Sequence, residues 1–274
     1  MTRILFLALS LLLAASGAED KILSLPEDSG AVRSPALAAG PDGRAWLAYG
    51  TLAGEVWVSS FKPGEATLSK PILVAKAKKL LLGMHMGPRV CVWEKGMAVS
   101  WIGGADLHCA VSTDGMIWKA PVRVNADPGT CGEGLHAMAV TSDGQLWCCW
   151  QGPNARLMAS HSKDAGASFE EPFPVQEGPV CPCCHPSLAA GTGGALLVMF
   201  RNDKDASRDL YVADLDPKKI RFGKARKLGK GTWKLMTCPM DGGGCAFGKG
   251  LVTTWRRESM ILATTHGGAA VEDA

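Results

Sequence analysis

The chain has 274 residues, 47% of them hydrophobic, and its 29 Lys and Arg against 26 Asp and Glu leave a formal charge of +3. That near-balance, with no basic run denser than Lys76, Lys78 and Lys79, reads as a mixed, solvated surface and argues against nucleic acid as a partner. Beyond the first apolar run, no stretch is long and uncharged enough to cross a bilayer, so no transmembrane segment is expected.

In chain order, the first feature is Arg3, then the apolar run Ile4 to Ala15 and the small residues Ser16-Gly17-Ala18. This is the pattern of a cleaved export leader over residues 1–18. It predicts a secreted or periplasmic protein, residues 19–274, folding as a single domain and present as a monomer. All ten cysteines follow the leader, and an oxidising compartment makes disulfides their ordinary role.

The rest of the chain repeats. An apolar strand, a Gly-containing turn and a second strand ending in an aromatic recur at Ser34–Tyr49, Gly87–Trp101, Leu135–Trp150 and Cys184–Phe200, and a fifth copy ends at Trp255. The closing aromatics are 52, 49, 50 and 55 residues apart. A third strand follows each one, as in Glu55-Val-Trp-Val-Ser59 and Leu107-His-Cys-Ala-Val111. Most copies add a fourth, such as Pro121-Val-Arg-Val124. Four short antiparallel strands at a period near 50 residues predict an all-β fold, a β-propeller of four-stranded blades, with a sandwich as the runner-up. Five blades are expected, with six as the alternative. Lys21-Ile-Leu-Ser-Leu25 is predicted to complete the last blade and close the ring.

Ser162-Lys-Asp-Ala-Gly-Ala-Ser-Phe169 fits the pattern Ser-x-Asp-x-Gly-x-x-aromatic, and Ser112-Thr-Asp-Gly-Met-Ile-Trp118 is an imperfect second copy 50 residues earlier. These Asp-boxes resemble those of sialidase-like propellers (the BNR/Asp-box superfamily). The surroundings of Cys181-Pro-Cys183-Cys184 and Cys238-Pro-Met-Asp-Gly-Gly243 also look like exported bacterial members of that group. An Asp-box works as a folding device, its aspartate holding turn amides.

If each first strand starts on one face, the segments before strand one and after strand two share a rim, opposite the Asp-boxes. That rim collects a polar set, and two chemistries compete for it. The resemblance implies an arginine triad holding the carboxylate of an anionic sugar. Arg33, Arg201 and Arg256 are the candidates, with Arg89 and Arg208 as further ligand-binding residues for a glycan or small anion. It also implies glycoside hydrolysis by a Tyr nucleophile with carboxylates. Glu133 and Asp241 are the candidate carboxylate pair. Both tyrosines, Tyr49 and Tyr211, fall inside repeat strands, where core packing is the reading, so no nucleophile is identifiable.

The second chemistry is metal binding, for which thiolate and imidazole together suit zinc or copper. The candidate ligands are His85, His136, Cys183, Cys184, His185 and Cys238. The Cys-Pro-Cys-Cys spacing is not that of a standard zinc ribbon, and disulfides from Cys181, Cys183 or Cys184 to Cys131 or Cys238 are the competing reading.

Overall fold

The computed structural model describes residues 22–26 and 30–264. The expected leader and Lys21 lie outside them. The repeat units fold as five antiparallel sheets among these residues. The first is β1 (Val32–Ala39), β2 (Ala45–Thr51), β3 (Glu55–Phe61) and β4 (Ile72–Lys76). The second is β5 (Arg89–Trp93), β6 (Gly96–Gly103), β7 (Asp106–Ser112) and β8 (Val122–Arg123). β9 (His136–Val140), β10 (Leu146–Gln151), β11 (Leu157–Ser162) and β12 (Phe173–Pro174) form the third. In the fourth, β13 (Ser187–Ala190) and β14 (Leu196–Arg201) lead to β15 (Leu210–Asp216), whose outer edge is shared by β16 (Arg221–Phe222) and β17 (Arg226–Lys227). The fifth has β18 (Gly244–Phe247), β19 (Leu251–Arg257) and β20 (Met260–Thr264).

In the third and fourth sheets the second strand is covered on both faces. All six residues of β10 and of β14 are inaccessible to solvent. Four apolar clusters fill the spaces between successive sheets. Val58, Val90 and Trp101 join the first sheet to the second; Leu107, Cys148 and Trp150 join the second to the third. Trp147, Phe173 and Val198 link the third to the fourth, and Met199, Val212 and Trp255 link the fourth to the fifth. The innermost strands β1, β5, β9, β13 and β18 touch in that order.

The two ends of this series differ from its middle. In β19, Leu251, Thr253, Trp255 and Arg257 are buried or nearly so, whereas Val252 and Thr254 are exposed. Ile261 in β20 and Leu37 in β1 are 74% and 65% exposed. The fifth sheet has three strands, and Ile22–Pro26 carry no strand, so the expected closing strand is not found among the described residues.

The two Ser-x-Asp turns behave as their residues dictate. Asp164 accepts the Ser168 N–H at 2.9 Å and the Ser168 hydroxyl at 2.6 Å, while the Ser162 hydroxyl accepts the Gly166 N–H at 2.7 Å. Asp114 likewise accepts the Met116 and Ile117 N–H groups, at 2.8 and 2.9 Å. The pairing Ser162↔Leu146, with Leu146↔Val140, places this turn at the end of the sheet away from the start of β9.

The cysteines bear out one expected pairing and correct the wider expectation of a disulfide framework: Cys183 and Cys238 are joined, and the other eight are free. Cys109, Cys131 and Cys148 sit in the core between the second and third sheets as small apolar side chains. Cys131 is therefore not a staple.

Candidate functional site

β1 itself and the segments preceding β5 and β13 meet at one rim. There a cavity of about 570 Å³ opens, lined by residues of all five innermost strands or the turns that feed them: Ser34, Arg89, Ala137, Ser187 and Gly244 among others. A slightly larger cleft, about 610 Å³, lies beside Tyr49 and Trp57 on the flank of the first sheet. The rim cavity is the better candidate, because all five repeats contribute to its wall. Ser34, His85 and Met240 on this rim hold left-handed backbone, with φ of 55°, 61° and 54°.

The titratable side chains in the cavity wall include His85, Arg89 and His185. The imidazoles of His85 and His185 stack, centroids 4.4 Å apart. Burial, with His85 and Arg89 nearby, pulls the His185 pKa down to about 4, so the ring is neutral at ordinary pH. Arg89 is fixed by carbonyls alone: its Nη2 donates to His85 O at 2.7 Å and its Nη1 to Pro88 O at 3.0 Å. No carboxylate pairs with it among the described residues, and none is among the side chains lining the cavity. His136, one strand deeper, is buried and bonds through Nε2 to the Ser100 hydroxyl at 2.9 Å. Burial and then the Arg89 charge hold it well below its usual pKa.

The other arginines are occupied. Arg201, its side chain fully buried, pairs through Nη2 with Asp241 Oδ1 at 2.6 Å. Its Nη1 donates to Arg208 O. Arg256 grips the second Asp241 oxygen through Nε. Both guanidiniums lie over the Trp233 ring, at 5.3 and 4.8 Å. Arg208 pairs with Asp203 at 2.5 Å. Arg33, at the exposed end of β1, bonds to its neighbour Val32 O. The expected triad is thus not an open carboxylate clamp: two members are locked on one internal aspartate and the third has no part in that network. Glu133 is exposed in the loop before β9, and Asp241 lies between two guanidiniums, so these two do not form a carboxylate pair in the cavity.

The expected metal ligands separate as well. Cys183, Cys184 and Cys238 come together with Cys181, whereas none of the three histidines joins the sulfurs that lie within metal-binding reach of one another. Cys181 stands outside the ligand set read from sequence, although Cys181 and Cys184 have Cys-x-x-Cys spacing, a signal that was there to find. Gln151, at the end of β10, steadies that loop by donating to Cys181 O at 3.1 Å and Cys184 O at 3.0 Å. Nothing in the sequence pointed to it or to Trp233.

No family model matches the chain, and no curated protein matches it in sequence. Many solved structures share its fold. An α-L-arabinanase from Penicillium chrysogenum, solved with arabinobiose, is 14% identical over 92% of this chain and 84% of its own, with a TM-score of 0.58. A lectin from Burkholderia pseudomallei is 12% identical over 89% of this chain and 71% of its own, with a TM-score of 0.67. A Dyadobacter fermentans protein of unknown function is 14% identical over 92% and 82%, with a TM-score of 0.56. The chain is a β-propeller. At these identities the likeness is one of fold, and the site must be argued from its own side chains.

Proposed function

We propose that this propeller is an exported binding protein whose rim cavity takes a short anionic saccharide, with the saccharide carboxylate against Arg89. One observation carries this: Arg89 is a half-buried guanidinium, held in place by carbonyls, with no carboxylate to balance it, in the wall of a cavity to which all five sheets contribute. A charge in that setting is stabilised by an opposite charge brought by a ligand. The His85–His185 stack, with the His185 ring neutral, offers ring nitrogens for sugar hydroxyls and a flat surface beside them. The arabinanase and the lectin that share the fold are carbohydrate-related by name, which supports the choice of saccharide over other anions. Hydrolysis is not part of this reading, because the paired carboxylates that reaction requires are not in the wall.

Calorimetric titration with a uronate-containing oligosaccharide and with neutral arabino-oligosaccharides tests it. Binding of the acidic sugar, reduced at least tenfold by Arg89→Gln and absent or far weaker for the neutral sugar, is the expected result. Equal binding of both sugars, or acidic-sugar binding untouched by R89Q, would sink the assignment.

A further inference from the structure

Four sulfur atoms from two loops meet at one place on the rim. Cys181, Cys183 and Cys184 precede β13, and Cys238 precedes β18. The Cys183–Cys238 disulfide alone is enough to tie the loops together. Yet Cys181 Sγ lies 3.3 Å from Cys238 Sγ and 3.9 Å from Cys183 Sγ, and Cys184 Sγ lies 3.9 Å from Cys238 Sγ. Cys181 and Cys184 are both free and both buried. A staple accounts for two sulfurs and leaves two unexplained.

The spacing separates two chemistries. For Cys181 to displace Cys183 from Cys238 it must approach in line with the S–S bond, which would set its sulfur roughly 5.3 Å from that of Cys183. At 3.9 Å it stands beside the bond instead. A tetrahedral zinc with Zn–S near 2.3 Å has sulfur–sulfur edges of about 3.8 Å. Three of the six sulfur–sulfur separations, 3.3, 3.9 and 3.9 Å, lie around that value; Cys181, Cys183 and Cys238 all lie within 4.8 Å of one another, and Cys184, beside Cys238, has to draw in to complete the tetrahedron.

The surroundings fit thiolate ligands. In the Cys238-Pro-Met240 turn the Met240 N–H donates to the Cys238 sulfur at 3.3 Å. Such an outer donor orients and stabilises metal-bound sulfur. Zinc with four thiolates carries two negative charges. The adjoining network sets Arg201, Arg208 and Arg256 against Asp203 and Asp241, a surplus of positive charge.

We propose that, once the Cys183–Cys238 bond is reduced, Cys181, Cys183, Cys184 and Cys238 form a tetrathiolate zinc site that joins the loops before β13 and β18. A dithiol reductant supplies two electrons and two protons to the S–S bond and leaves as its own disulfide. Zn²⁺ then displaces the proton of each of the four thiols to the buffer. In the oxidised state the disulfide holds the same loops, so the rim is tied in either condition.

The mature chain, purified without chelator and treated with a dithiol, is expected to take up zinc one-to-one. With cobalt(II) it is expected to show the intense thiolate charge-transfer absorption and the visible bands of a tetrahedral site. Cys184→Ser should weaken zinc retention against a competing chelator by roughly tenfold or more, whereas Cys91→Ser, remote from the cluster, should leave it unchanged. Reduced wild-type protein that takes up no zinc and gives no cobalt charge-transfer band overturns the proposal without reliance on any variant. Uptake that Cys184→Ser leaves unaltered overturns it too.

Discussion

Asp241 neutralises two guanidiniums at once, and one of them, Arg201, has no solvent to fall back on. Asp241→Asn should therefore cost about 3–5 kcal/mol, the usual penalty for stranding a buried charge. A denaturant midpoint that hardly moves would show that the pairing contributes little. Histidines set the acid behaviour. The unfolded chain protonates them near 6.5, whereas folded His185 waits until about 4 and His136 lies well below 6.5. The unfolded state thus binds more protons between those values, so stability is complete above the unfolded pKa and falls as pH drops toward 4. Each such histidine contributes at most about 1.4 kcal/mol per pH unit. Midpoints measured near neutrality and about two units lower check the sign, and a rise on acidification contradicts it. The sequence reading put Arg201, Asp241 and Arg256 on one rim, and the structure pairs them with one another. It could not show that they satisfy one another, because strand periodicity fixes where a loop starts and not the path it takes.

Turns and loops carry the next level. Asp164 accepts several hydrogen bonds within its own turn, so Asp164→Ala should lower stability by about 1–2 kcal/mol while leaving saccharide affinity alone, since the turn lies at the far end of its sheet. Parallel denaturation and titration experiments would separate the two effects. The loop from Cys238 to Gly243 is less forgiving. A Cβ on Gly242 would fall 2.3 Å from the His185 carbonyl and 2.6 Å from its ring. Gly242→Ala is expected to push His185 out of its stack and weaken the acidic sugar several-fold, while wild-type affinity in this variant would mean that His185 is not a contact. The first three strands of every copy were legible, since apolar runs bounded by turn residues recur at a fixed spacing. The fourth strands were less so. β8 and β12 have two residues each, and the edge of the fourth sheet is divided between β16 and β17, too short for alternation to register.

At the scale of the molecule, stability is a series of pairwise contacts between neighbouring sheets. In such an array an element's protection follows the number of its neighbours. Amides of β10 and β14, covered on both faces, should exchange with solvent more slowly than those of β19 and β20, where one face is exposed. Uniform exchange across the five sheets would show that the array opens as a unit. The repeat period made this organisation readable in advance, and it also brought Cys183, Cys184 and Cys238 to one rim from loops 55 residues apart; what it did not show was Cys181 as a further sulfur beside them. The loop at 238–243 has one more consequence. It contributes Cys238 to the sulfur cluster, Asp241 to the arginine pair and Gly242 to the seat of His185. Zinc at the thiols and saccharide at the cavity would then share a stretch of backbone, and thermodynamic linkage makes their influence mutual. By whatever factor zinc changes the sugar's affinity, the sugar must change zinc's by the same factor.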